Sequence, residues 1–205
     1  MKIITISRQF GSGGRELGKR LADALGWDYY DREIVSAIAE KQGLDEAYVE
    51  RALEERPWQS VTFDYSRSFT VPAVMEQPRT QLLAAQRKVL EEIAKSGRSC
   101  VIVGRNADVI LAHYKPMRIF VCADRVSKLK RCTERAKNGE ELSPRQMEQN
   151  MRRIDKNRAQ LHQFICDSAW GDPEAYDLTI NTAGCDIKKL SAGLAELAKS
   201  WFDRA

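Results

Sequence analysis

Gly11, Gly13 and Gly14, with Ser12 between them, put three glycines into four residues near the start of the chain. A run without Cβ atoms lets backbone amides curl inward toward one anion, and a helix that follows it adds the unpaired amides of its first turn. Such a nest suits phosphate oxygens; a tight turn whose glycines serve only close packing is the plainer alternative. Arg15 and Lys19 follow within a turn or two and bring positive charge near the nest. Farther along, residues 124–160 hold eleven Lys or Arg against six Asp or Glu, while the whole chain carries only +4, so the basic charge is concentrated there. At helical spacing Lys128, Arg131 and Arg135 share one face, and Arg145, Arg152 and Lys156 lie opposite the apolar Met147, Met151 and Ile154. Two facing cationic rows could close over a polyphosphate, exclude water and neutralise charge on a transferring phosphoryl group. A solvated charged surface is the competing reading.

The elements that must position these residues alternate between strand and helix. Residues 2–6 are β-branched and stop at polar and glycine-rich positions, and Leu17, Leu21 and Leu25 then repeat at helical spacing up to a stop at Gly26. Residues 27–30 form a brief second strand that hands over at Asp31 to a helix with Ile34, Val35, Ile38 and Ala39 inward. Residues 45–53 and 80–95 read as helices. Between them, residues 56–78 contain Pro57, Pro72 and Pro78 and four aromatic residues, a stretch fit for a substrate lobe or an irregular surface excursion. Residues 99–103 and 117–123 are apolar runs of the length of strands buried on both faces. Asp124 caps one basic helix, Ser143-Pro144-Arg145-Gln146 forms a capping box for a second, and Gly139 turns between them. Residues 176–181 make the last strand, and Asp186 caps a closing helix. Strands separated by helical crossovers give an open parallel β-sheet with helices on both faces, an α/β fold, and ligands of such sheets collect at the carboxyl ends of the strands.

At 205 residues, with 43% hydrophobic and 30% charged residues, the chain suits one substantial globular core. Its five cysteines are dispersed, odd in number and without a CxxC pair, which fits a reducing compartment and, with only two histidines, argues against a structural metal. No signal-peptide pattern and no apolar stretch of bilayer length occurs, so a cytoplasmic protein without a membrane partner is expected.

Against the phosphate-loop spacing GxxxxGK[ST], one register uses Gly13, Gly18 and Lys19, but Arg20 replaces the metal-binding hydroxyl and residues 15–17 already fit the helix. The other register takes Gly13 as the second glycine and leaves Gly14 at the lysine position and Arg15 at the hydroxyl position. Arg15, Lys19 or a cation from the basic helices would then supply the missing charge. An arginine fork cannot hold magnesium as a hydroxyl does, which leaves Mg²⁺ to carboxylates, waters and phosphate oxygens.

Residues 4–14, Tyr29-Tyr30-Asp31-Arg32, Val101-Ile102-Val103-Gly104-Arg105, the arginine-rich residues 152–158 and Tyr176-Asp177-Leu178-Thr179-Ile180-Asn181-Thr182 together resemble the cytidylate kinase-like family, relatives of the P-loop nucleoside monophosphate kinases, over nearly the whole chain. The resemblance implies a P-loop NTPase-like domain over residues 1–205, with an acceptor-binding insertion at 43–79 and a basic helical lid at 124–165. It implies ATP-dependent phosphoryl transfer to a nucleoside monophosphate such as CMP or dCMP, with ATP and Mg²⁺ as cofactors. Gly11, Ser12, Gly13 and Gly14, with Arg15 and Arg131, would hold the nucleotide; Asp31, Arg32 and Arg105 would hold the acceptor. Arg15, Lys19, Asp31, Arg131, Arg152 and Arg158 would serve the transfer itself, and no side chain is assigned to a metal. Asp155 would orient the lid arginines, help with magnesium or form an ordinary intrahelical pair, and Trp170 would stack on a base or pack in a turn. A nucleotide-binding regulator without turnover and a kinase for a different small acceptor remain open, as does homodimer formation. A nucleic-acid partner for the basic helices is the weaker reading.

Overall fold

The computed structural model describes residues 1–54, 79–135 and 143–203. The proline-rich residues 56–78 and the Gly139 turn lie outside them. Five strands, β1 (Ile3–Arg8), β2 (Asp28–Tyr30), β3 (Cys100–Val103), β4 (Met117–Cys122) and β5 (Leu178–Asn181), form one sheet in the order β2-β3-β1-β4-β5. All four pairings are parallel, with Ile4 opposite Val101 on one side and Met117 on the other. Among the described residues eight α-helices lie around them: α1 (Gly14–Leu25), α2 (Glu33–Gln42), α3 (Glu46–Glu54), α4 (Arg79–Lys95), α5 (Ala107–Ile110), α6 (Arg125–Arg135), α7 (Pro144–Ile165) and α8 (Ile187–Phe202). The parallel sheet and its crossovers are those expected from the sequence.

Side-chain alternation along the strands splits the core into two layers. Ile4 and Ile6 of β1 and Val101 and Val103 of β3 pack with Leu17 and Leu21 of α1 and Leu194 and Ala198 of α8. Ile3, Cys100 and Ile102 point the other way, toward Ile34 and Ile38 of α2, Leu82 and Leu90 of α4 and Ala107 of α5. Each fully buried Leu or Ile contributes roughly 1.5–3 kcal/mol of apolar burial. Burial pushes the Cys100 thiol up to about 12, as suits a packing cysteine.

Local signals set the helix ends. Gly26 closes α1 in the left-handed conformation, donating to the carbonyls of Ala22 and Asp23. Ser143 Oγ accepts from the Gln146 amide while Gln146 Oε1 accepts from the Ser143 amide, so the capping box predicted for α7 is present, with Pro144 at its first position. The Asp186 carboxylate accepts from the Lys188 and Lys189 amides at the start of α8. Because α1 leaves β1 toward one face and α5 leaves β3 toward the other, a crevice opens at the carboxyl ends of these neighbouring strands. A ligand site is expected at such a switch point.

Candidate active site

The β1–α1 loop is a short backbone turn. The Gln9 amide donates to Val121 O, Ser12 Oγ donates to Gln9 O, and Gly11 and Gly13 have φ of +75° and +81°. Among the described residues no side chain caps α1, which leaves its first amides without a side-chain acceptor, as an anion site requires. A Cβ on Gly11 would stand 2.9 Å from Cys132 Sγ and 3.1 Å from Lys128 O, which puts α6 directly over the loop. Arg131 donates to Ser12 O at 3.3 Å and to Thr182 O at 2.6 Å, joining α6, the loop and the end of β5.

Asp155 of α7 fastens the other side. Its Oδ1 accepts from the Phe10 amide at 2.7 Å, and Lys128 and Arg158 flank it at 3.8 and 3.7 Å. Burial holds this carboxyl above the usual range, against the opposing pull of the Phe10 amide and the two cations. It is therefore more than the intrahelical pair that the sequence left open. Lys128 also donates to Gln9 Oε1, and Arg158 donates to Arg8 O.

Arg8 ends β1 with its side chain only 11% exposed. Its guanidinium lies 3.6 Å from Asp31 Oδ1, and Arg15 pairs with the other oxygen of the same buried carboxylate. Burial, then the nearby Arg158, push the Arg8 guanidinium down to about 9, with Asp31 opposing them. The sequence reading gave Arg8 no task. Its readable signal was a lone cation ending a buried strand immediately before a glycine nest.

Beside the loop lies a cavity of about 320 Å³ lined by Arg8, Glu50, Gln86, Arg105, Asn157 and Arg158, among others. Small-molecule sites run from roughly 300 to 1,000 Å³. Gly104, Arg105 and Asn106 are three successive residues at φ of +77°, +58° and +50°, a turn held by Gln86 Nε2 donating to Arg105 O. Left-handed backbone at two residues bearing side chains costs about 1–3 kcal/mol each, and such strain gathers at functional sites. The Arg105 side chain is 6% exposed and meets Glu50 at 3.9 Å, while its Nε has no hydrogen-bond partner among the described residues. Gln86 Oε1 and Asn157 Oδ1 are likewise buried without a donor among the described residues. A buried orphan polar atom costs about 1–3 kcal/mol, so three around one cavity favour a ligand that brings both anionic oxygens and N–H or O–H donors. Gln86 interrupts the otherwise apolar face of α4 formed by Leu82, Leu83, Val89 and Leu90, a signal present in the sequence, whereas Asn157 lies on a face it shares with Arg153 and Arg158 and gives none. Trp170 lines the same cavity and packs edge-on against Phe120, so it does not choose between the two roles left open for it.

Several expected residues are not brought to this site. Lys19 is paired with Asp23 one turn along α1 and lies over the Tyr29 ring. Arg32 is exposed at the start of α2. Arg152 is 77% exposed and paired with Glu148. On α7 the cavity takes Arg153, Ile154, Asn157, Arg158 and Leu161. The cavity side of α7 thus combines Ile154 and Leu161 with Arg153, Asn157 and Arg158, whereas Arg152, expected beside Arg158 in the transfer, lies off that side. Helical geometry explains this, since positions 154, 157, 158 and 161 share a face and 152 and 156 do not.

Among the described residues there is no group of three His, Cys, Asp or Glu side chains placed to hold a metal. Arg15 stands where a phosphate loop would offer a hydroxyl, and both oxygens of Asp31 face arginines. This donor set does not fit a magnesium ion held by the protein. No helix among the described residues is long and apolar enough to cross a membrane.

A five-stranded parallel sheet with a glycine nest between its first strand and helix, roofed by basic helices, defines a P-loop kinase-like architecture. The model of the Cytidylate kinase-like family matches residues 3–184, and the chain belongs to that family. Fold and family together give a kinase-like phosphotransferase acting on a small molecule. A cytidylate kinase from Haloarcula marismortui is 25% identical over 185 residues, 90% of this chain and 82% of the relative. An uncharacterized protein from Eubacterium ventriosum superposes with a TM-score of 0.71 at 25% identity, over 98% of this chain and 99% of that one. Shikimate kinase from Acinetobacter baumannii, solved with shikimate, gives 0.54 at 19% identity over 98% and 94%, a likeness of fold.

Proposed function

We propose that the protein transfers the γ-phosphoryl group of ATP to a small anionic acceptor, with CMP and dCMP the first candidates. The cavity beside the glycine nest, with orphaned donor and acceptor atoms at Arg105, Gln86 and Asn157, is the observation that carries this reading. Amides of Gly11 to Gly14 and the guanidinium of Arg131 would take the triphosphate. Arg105 and Arg158 would take the acceptor's anionic group, and the Gln86 and Asn157 oxygens its hydroxyl or amino donors. Within one domain, residues 124–165 would act as the lid and residues 43–79 as the acceptor-side insertion.

An acceptor phosphate oxygen attacks the γ-phosphorus as the bond to the bridging oxygen breaks, giving ADP and the phosphorylated acceptor. A phosphate monoester is already largely anionic near neutral pH, so no strong base is required. Asp31, engaged by two arginines, would act by orienting them. Magnesium would arrive on the triphosphate. A second reading, a nucleotide-binding regulator without turnover, is favoured by one observation, the glycine at position 14.

Calorimetry with a nonhydrolysable ATP analogue and a panel of monophosphates and hydroxy acids, paired with an ADP-release assay, tests both readings. Saturable binding and turnover with CMP or dCMP ahead of the others is the expected result. Turnover with another acceptor alone replaces the substrate, and binding without turnover supports the regulator.

A further inference from the structure

In this chain the residue that a phosphate loop uses as its lysine is Gly14, and the structure gives a steric reason. A Cβ at Gly14 would stand 2.6 Å from Arg8 Cβ and 3.1 Å from Arg8 Cγ. Real Cβ atoms do not approach so closely, and the obstruction is the root of the Arg8 side chain, which cannot swing aside. A Cβ at Gly104 would overlap the Arg8 guanidinium. Arg8 therefore occupies a channel floored by two glycines, running from the first turn of α1 to the end of β3. Arg8 lines the cavity together with Gly104 and Arg105, and its guanidinium lies against Gly104 and beside Asp31.

We propose that Arg8 takes both the space and the task of the absent lysine, presenting its guanidinium to the phosphoryl group that passes from triphosphate to acceptor. The proposal rests on the phosphoryl-transfer reading above and deepens it. Arg8 gives up no proton. It donates hydrogen bonds to the equatorial oxygens while the acceptor oxygen–phosphorus bond forms and the bond to the bridging oxygen breaks, with ADP as the leaving group. Asp31 is the positioning residue that holds the fork, since its carboxylate lies between Arg8 and Arg15. A cation so deeply enclosed, sharing the Asp31 carboxylate with Arg15 and with Arg105 and Arg158 nearby, gains further counter-charge when phosphate enters.

A reciprocal exchange tests this. Arg8→Met is expected to lower kcat about 100-fold or more, the scale of losing one oriented donor, with acceptor KM changed little. Arg8→Lys, which keeps the charge without the fork, should lose distinctly less. Gly14→Lys alone should lose activity and melt earlier, because lysine meets Arg8. The double variant Arg8→Gly with Gly14→Lys should regain kcat to within about tenfold of the parent and outperform both single variants, Arg8→Gly and Gly14→Lys. Binding of inorganic tripolyphosphate, read by calorimetry on the same set, should weaken about tenfold in Arg8→Met and recover in the double variant. If the parent turns over no acceptor, the function proposed above fails while the tripolyphosphate series still decides whether Arg8 meets phosphate. The proposal is overturned if Arg8→Met keeps both kcat and tripolyphosphate affinity, if Arg8→Lys is as impaired as Arg8→Met, or if the double variant recovers its melting midpoint and stays inactive.

Discussion

Two turns at the carboxyl edge of adjacent paired strands use left-handed backbone to opposite ends. The β1–α1 turn spends it on glycines, and its surroundings are satisfied from within the chain: Ser12 O accepts from Arg131 and Thr182, and the Phe10 amide meets Asp155. The β3–α5 turn places Arg105 and Asn106, which carry side chains, in the same strained region, and around it Arg105 Nε, Gln86 Oε1 and Asn157 Oδ1 have no hydrogen-bond partner among the described residues. One turn is organised before any ligand arrives; the other is organised around what a ligand would complete. Removing a side chain from the second should therefore damage binding more than stability, and disturbing the glycines should do the reverse.

The sharpest break of that contrast is Arg105→Met. Loss of a buried charged donor pair is worth about 3 kcal/mol, so kcat/KM for the acceptor should fall about 100-fold in the coupled assay while triphosphate affinity stays near the parent value. Equal loss of both affinities would merge the two turns into one unit. Gly104→Ala comes next, since it strains φ and overlaps Arg8; about 2 kcal/mol of stability should go, read as a drop of about 4–8 °C in melting temperature. Asp155→Asn probes the glycine side. With the folded carboxyl held above its ordinary value, its contribution to stability is full below the ordinary value and is lost as pH rises through the raised one. The melting temperature of the parent relative to Asp155→Asn should then improve between pH 7 and pH 4, and a fixed difference would remove the role of burial. Arg152→Ala should be the mildest, within about 0.5 kcal/mol in stability with kinetics unchanged, because its exposed pair with Glu148 faces away from the cavity.

Strand and helix order was legible because buried parallel strands and amphipathic helices leave different periods, and the caps at Gly26, Ser143 and Asp186 are local chemistry. The glycine nest could be read for the same reason, lying where a strand ends, whereas Arg105 was implied only by the family resemblance. Arg8 and Arg152 could not be sorted by residue type. Which arginine turns inward depends on the packing of α7 against the strand ends and on space left by Gly14 and Gly104, and both are settled by contacts between distant parts of the chain. Gln86 left a fainter trace as a polar residue within an apolar stripe, a pattern that marks a buried amide without naming its ligand, while Asn157, between Arg153 and Arg158, left none.

The bond from the Phe10 amide to Asp155 spans 145 positions of sequence, and that from Arg158 to Arg8 spans 150. During synthesis the nest emerges early and waits for most of the polypeptide before its covering helix exists. Contacts so distant in sequence form after local structure, so activity should be the last property a refolding chain acquires, behind its secondary structure.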